Sequence, residues 1–131
     1  MQNSSSIIKS NMQLIKKYAS SFAFAYEGLR WAFLHHTNYR IHALLSVSAI
    51  IASVLLQISQ IEWLFIIITI TLGFVIESIN TAVEVTCDAI DQNWREDIKI
   101  AKDVSAAAML IYSAGAVMIA IIIFLPKLGY I

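Results

Sequence analysis

Four carboxylates and one amide recur along the stretch GFVIESINTAVEVTCDAID, residues 73–91, which ends an otherwise apolar segment. On a helix advancing about 100° per residue, with Glu77 at zero, Asn80 falls at about −60°, Glu84 at about −20°, Asp88 at about +20° and Asp91 at about −40°. The five side chains form one polar stripe on a helix whose other faces are Ile, Val, Ala and Thr. A carboxylate within a membrane span costs about 3 kcal/mol even on lenient insertion scales. A cost repeated on one face calls for a partner: a metal ion, a proton, a basic side chain or a substrate. Hard oxygen ligands suit Mg²⁺, which takes one or two carboxylates plus substrate phosphates. Lys102 and Asp103 add a cation of use to a phosphate and a further carboxylate. A lysine, metal-binding carboxylates and a deeper carboxylate are the components of phosphoryl transfer, the deep one taking a proton from a lipid hydroxyl. The only glycines are Gly28, Gly73, Gly115 and Gly129, so a nucleotide site here is not a P-loop. From the residues alone, proton or ion translocation by a membrane oligomer through Glu77 stands beside this reading, with a structural polar seam as a third.

The elements that must position these groups are helical and membrane-embedded. The chain has 131 residues, 59% hydrophobic and 14% charged, and the apolar excess is concentrated in three runs. That is well beyond the usual soluble balance of about 45–50% apolar and 25% charged. An all-α membrane protein is expected, a single domain over residues 1–131. Residues 1–6 read as a frayed polar segment. Over residues 7–34 the apolar positions Ile8, Met12, Ile15, Ala19, Phe22, Tyr26, Leu29 and Phe33 recur at helical spacing among Lys9, Lys16, Lys17 and Arg30. This pattern predicts an amphipathic helix on the membrane surface. Spans are expected at about 41–58, 63–86 and 104–125, with Trp63 as an interfacial anchor and Pro126 as the stop. Between the first two lies a short linker at residues 59–62, and between the last two a polar connection over residues 89–101. Counted from Trp63 at 1.5 Å per residue, Glu77 falls at about 21 Å depth.

Basic residues set the topology. Lys9, Lys16, Lys17, Arg30 and Arg40 precede the first span, Arg95, Lys99 and Lys102 separate the second and third, and the first linker has none. The positive-inside rule then predicts a cytoplasmic N-terminus, an outside C-terminus and a stripe that emerges into the cytoplasm. No cleavable signal peptide is recognisable. Zero net charge argues against a nucleic-acid partner. Cys87, the one cysteine, reads as a buried inert thiol. His35, His36 and His42 have no metal-ligand spacing to a carboxylate and read as solvated interfacial side chains. Tyr26, Trp31, Tyr39 and Trp94 read as interface or packing aromatics, Trp94 with the further option of stacking on an adenine. The small-residue runs at 105–108 and 113–116 predict close helix packing. Three spans enclose little volume, so a homo-oligomer is expected.

The run Glu77-x-x-Asn80-Thr81-Ala82-x-Glu84-x-x-x-Asp88, followed fourteen residues later by Lys102-Asp103, resembles the prokaryotic diacylglycerol kinase and undecaprenol kinase family. Gly28-Leu29-Arg30 and Asn38-Tyr39-Arg40-Ile41-His42 match upstream, so that the likeness covers about residues 20 to 125. It implies a homotrimeric kinase of the bacterial inner membrane, with three spans and a surface helix per chain, that transfers the γ-phosphate of ATP to a membrane lipid alcohol with Mg²⁺. Diacylglycerol is the first expectation for the lipid and undecaprenol the second. Position by position, Glu77 matches the general base and Asn80 a residue of the reaction centre. Glu84 matches a metal ligand, and Lys102 and Asp103 match nucleotide-site residues. With the stripe and the loop, the expected nucleotide site comprises Glu84, Asp88, Trp94, Lys102 and Asp103, with Lys17 as a further contact. Glu77, Arg40 and Ala106 face the lipid substrate. His36 stands where many members carry a metal-holding glutamate, and neutral imidazole is the poorer Mg²⁺ ligand.

Overall fold

The computed structural model describes residues 4–129, with side chains from residue 11 onward. Four α-helices and a closing turn account for nearly all of it: α1 (Ser4–His35), α2 (Thr37–Leu55), α3 (Gln60–Ile90), α4 (Glu96–Phe124) and a 3₁₀ turn (Pro126–Leu128). Among the described residues there is no strand. A hydrocarbon solvent explains why segments so rich in Ile and Val are helical, since only a helix satisfies each backbone N–H and C=O within its own segment. Three helices are long and apolar enough to cross a membrane: Thr37–Leu55, Gln60–Ile90 and Glu96–Leu128.

Helix α1 is a compact unit of its own, and α2 to α4 form a second. It is unbroken from Ser4, so residues 4–6 of the expected frayed segment are helical. Residues 1–3 lie outside the described residues, as do the side chains of Ile8 and Lys9. Its large apolar side chains stay exposed, Phe22 at 78% and Phe24 at 69%, while Ser20 and Ser21 return their hydroxyls to the Lys17 carbonyl. His36 alone separates α1 from α2, with extended backbone (φ −107°, ψ 119°).

Within the second unit the helix bounds depart from expectation at both ends of α2, both ends of α3 and the start of α4. Helix α2 starts at Thr37 and stops at Leu55, before a turn in which Gln57 takes φ 48°. Helix α3 starts at Gln60 because Ser59 caps it reciprocally: Glu62 N–H donates to Ser59 Oγ at 3.3 Å and Ser59 N–H to Glu62 Oε2 at 2.6 Å. That is the Ser-x-x-Glu capping box, whose signature lies within the linker. At the other end, the polar connection of 89–101 shrinks to residues 91–95, because α3 runs on to Ile90 and α4 begins at Glu96. Lys102 and Asp103 therefore sit in the second turn of α4 rather than opening it.

The most extensive pairing is α4 along α3, and α2 also packs on α3. Ile58, Ile66 and Ile123 form a buried cluster at the Ser59 end, against which Leu56, Trp63, Ile70, Ile119 and Phe124 pack. Trp63 is thus part of this core as well as near a helix start. Lys127 Nζ lies 3.3 Å from Glu62 Oε2 and ties the end of α4 to the start of α3. Of the small-residue runs on α4, Ser105 reaches Asn80 of α3, while Ala106, Ala107 and Ala108 are exposed within the single chain and nothing lies within 4 Å of a Cβ built on Gly115. A further close approach is at Gly73 of α3. A Cβ there would meet the Tyr112 hydroxyl, Tyr112 Cζ at 2.7 Å and His42 Cε1 at 2.6 Å. Tyr112 crosses from α4 to donate to the Thr69 carbonyl at 2.8 Å. His42 of α2, expected in solvent, is half-buried with its ring 5.5 Å from Tyr112 and 5.9 Å from Phe74. An apolar cavity of about 260 Å³, lined in part by His42, Ile66, Tyr112 and Phe124, lies between the three helices.

Gly73→Ala should therefore destabilise the protein by about 1–3 kcal/mol through overpacking. Gly115→Ala, with open space at its Cβ, should be neutral or stabilise by up to about 1 kcal/mol. Thermal unfolding of the two variants in detergent compares them directly.

Candidate active site

Helix α3 carries the stripe through the middle of the three-helix unit, and burial falls along it. Glu77 is 1% exposed and Asn80 4%, Glu84 is half-buried, and Asp88 is exposed. Asp91 does not belong to the stripe. Its backbone is extended (φ −159°, ψ 134°) and it closes the helix as the C-cap. There its carboxylate accepts from the Asn93 N–H and the Asn93 side-chain amide, both at 2.9 Å. Those hydrogen bonds hold the Asp91 carboxyl below the usual range. An Asx turn of this kind is a local alternative to another helical turn.

Asn80 is the joint of the site. Its Oδ1 accepts from the Ser105 hydroxyl on α4, and its Nδ2 donates to Glu84 Oε1 at 3.1 Å. With the carbonyl end held by Ser105, the amide end is directed at the Glu84 carboxylate. The second Glu84 oxygen lies 3.9 Å from His36 Nδ1, so His36 is brought to a stripe carboxylate by the α2–α3 packing, a proximity that no helical spacing could reveal. One turn beyond Glu84, Lys102 Nζ reaches across from α4 to Asp88 Oδ1 at 2.5 Å. Asp103 points elsewhere and pairs with Lys99 of its own helix at 2.5 Å. The two neighbours thus divide, Lys102 to the stripe and Asp103 to an exposed face of α4.

The remaining candidates are more dispersed. Trp94 is 78% exposed in the short connection, where Arg95 forms a two-point pair with Asp97 at 2.6 and 3.1 Å. Arg40 is exposed and donates to Thr37 Oγ1 at 3.2 Å. Ala106 is exposed on α4 and Lys17 is exposed on α1. Cys87 is buried, with no disulfide.

Three polar side chains at the site are not evident from sequence patterns. Ser105 lies three residues after Lys102, hence on the same face, and that spacing is the available signal. Tyr39 is 1% exposed; its hydroxyl lies 2.7 Å from Ser78 Oγ, which itself donates to the Phe74 carbonyl at 2.6 Å, so Tyr39 is the donor. Thr81, 5% exposed, has a buried hydroxyl without a hydrogen-bond partner, and so does one carboxylate oxygen of Glu77, Oε2.

A polar, helix-borne site of this kind, next to a water-exposed lysine, narrows the comparison with known proteins. The family profile of prokaryotic diacylglycerol kinases matches residues 23–124. The chain belongs to this family. It is 32% identical to the undecaprenol kinase of Bacillus subtilis over 92% of this chain and 98% of that protein. It is 34% identical to a diacylglycerol kinase of Synechocystis over 92% of this chain and 69% of that protein. The diacylglycerol kinase of Escherichia coli K12 is 27% identical over 76% and 78% of the two chains. The chain is a lipid kinase of a bacterial membrane.

Because Ser105 holds one end of a part-buried amide, Ser105→Ala should cost about 1–2 kcal/mol, the penalty of leaving an acceptor unpaired. Thermal unfolding in detergent, set beside the neighbouring exposed substitution Ala106→Ser, measures it.

Proposed function

We propose that this kinase transfers the γ-phosphoryl group of ATP, with Mg²⁺, to the primary hydroxyl of diacylglycerol, forming phosphatidic acid. The observation that carries this reading is the Glu77 carboxylate, 1% exposed with Oε2 unpaired. A buried carboxylate oxygen with no partner in the protein suits a proton donor brought by the substrate. In the proposed step the alcohol O–H gives its proton to Glu77 as its oxygen bonds to the γ-phosphorus. The bond between that phosphorus and the β–γ bridging oxygen breaks, and ADP leaves.

The donor set fits a divalent cation. Mg²⁺ takes one or two carboxylates with the rest of its shell from phosphates and water, and Glu84 offers such a carboxylate, half-buried on α3. Glu84 would hold it, with His36 close by at 3.9 Å. The ion, when bound, neutralises charge on the β- and γ-phosphates. Asn80 directs the Glu84 carboxylate through its 3.1 Å hydrogen bond. Lys102, at the exposed end, takes phosphate oxygens as a compact cation, with Asp88 and Trp94 at the nucleotide end, while Asp103, paired with Lys99 on an exposed face of α4, stands apart from them. Arg40 and Ala106 belong to the lipid side.

The same reading puts the basic connection and the N-terminus in the cytoplasm, the C-terminus outside, and α1 on the membrane surface. Exposed Leu55, Leu110, Ile111 and Ile122 on the spans suit lipid and further copies of the chain, consistent with a homotrimer. Undecaprenol is the second reading for the lipid, favoured by the nearly end-to-end match to the Bacillus subtilis undecaprenol kinase.

The test is transfer of labelled γ-phosphate from ATP in mixed micelles, with diacylglycerol and undecaprenol offered in parallel. Label should enter diacylglycerol, and Glu77→Gln should lower turnover by about 10²–10⁴-fold; near-normal turnover of that variant would sink the base role. Lys102→Met should raise the KM for ATP by roughly tenfold while shifting stability by less than about 1 kcal/mol, because its pair with Asp88 is solvent-exposed. An unchanged KM for ATP would remove Lys102 from the nucleotide site.

A further inference from the structure

Two buried oxygens at the site have no hydrogen-bond partner, Glu77 Oε2 and Thr81 Oγ1. They sit one helical turn apart on α3, on the same face, and both residues are at least nine-tenths buried. A helical threonine has an inexpensive remedy, since its hydroxyl can donate to the carbonyl four residues back. Other hydroxyls on this helix do so: Thr71 to Ile67 at 2.8 Å, Ser78 to Phe74 at 2.6 Å and Thr86 to Ala82 at 2.7 Å. Thr81 does not. A buried unmade hydrogen bond costs more than a made one returns, so a hydroxyl kept in this state is held for a group that arrives later.

We propose that the Thr81 hydroxyl is a second binding group for the substrate alcohol, which is held between Thr81 Oγ1 and Glu77 Oε2. The inference rests on the reading of Glu77 as the group that receives the alcohol proton. The two contacts divide the alcohol's capacity: its O–H donates to Glu77, and one oxygen lone pair accepts from Thr81. The other lone pair is left to attack phosphorus. Side chains at i and i+4 have Cβ atoms about 5–6 Å apart, about the span of one oxygen hydrogen-bonded at ~2.7 Å to each neighbour. Thr81 also lies on the Glu84 side of Glu77 along α3. An oxygen held between the two therefore sits toward the end at which the nucleotide is proposed. Two-point holding fixes the direction of the nucleophile, which a single carboxylate contact leaves free to swing.

The experiment compares wild type, Thr81→Val, Thr81→Ser and Glu77→Gln in mixed micelles, with diacylglycerol and undecaprenol as substrates. A diacylglycerol analogue with hydrogen in place of the hydroxyl serves as competitor. Thr81→Val should lose about tenfold in kcat/KM for the lipid, with the KM for ATP unchanged, and Thr81→Ser should restore it. Thr81→Val should also unfold at the same or a higher temperature, because a methyl replaces an unpaired buried hydroxyl. In wild type the alcohol should bind more tightly than its deoxy analogue, and in Thr81→Val that gap should narrow. Wild-type lipid kinetics in Thr81→Val, with Glu77→Gln inactive, overturns the Thr81 inference alone. Full activity in Glu77→Gln overturns the reading beneath it. A Thr81→Val chain that no longer assembles assigns the hydroxyl a structural role and overturns the inference as well.

Discussion

Hydrocarbon offers no hydrogen bonds, so every polar group carried into a membrane helix must find its partner inside the protein. Much of this structure follows from that constraint. Ser48, Ser53, Thr71, Ser78 and Thr86 satisfy themselves on their own helices. Tyr39 and Tyr112 bring their hydroxyls across to α3. Asn80, whose amide demands partners at both ends, takes Ser105 on one side and Glu84 on the other. Among the described residues, the fully buried side-chain oxygens left without a partner are those of Glu77 and Thr81. They are the two atoms on which the proposed alcohol site is built.

The site is therefore a product of helix packing. Ser105 can reach Asn80 because α4 lies close along α3, and one cause of that closeness is Gly73, where the Tyr112 and His42 rings occupy the space of a side chain. The capping box at Ser59 and the Glu62–Lys127 pair set the register of the two helices from the opposite end. Together these contacts position a side chain on α4 against one on α3 across 25 residues of sequence.

The helical class, the three spans and the graded stripe are legible in the amino-acid pattern, because apolar run length and 100° periodicity report directly on membrane helices. What the pattern does not show is of two kinds. Helix ends fall elsewhere when local chemistry decides them: Ser59 and Glu62 start α3 earlier, and Asp91 leaves the helix to close a turn with Asn93. Contacts between helices stay hidden because spacing within one helix cannot reveal them, as with His42 against Tyr112 and Ser105 on Asn80, whereas His36 near Glu84 is legible only through the family resemblance. Lys102 and Asp103 illustrate the same limit. Adjacent in sequence, they point about 100° apart, and each finds its own partner.

The Lys102–Asp88 pair has a consequence for how the exposed end of the stripe handles charge. At rest the ammonium is spoken for by Asp88 at 2.5 Å. A phosphate that draws Lys102 away leaves the Asp88 carboxylate without its cation, one turn from Glu84 on the same face. On the proposed reading, arrival of one anion thus uncovers another, and the local count of bare carboxylates rises as the nucleotide's divalent cation arrives with it. Under the proposed function the helix pair acts as an ion exchanger, in which the Lys102–Asp88 bridge keeps the mouth of the site electrically quiet until its guest is present.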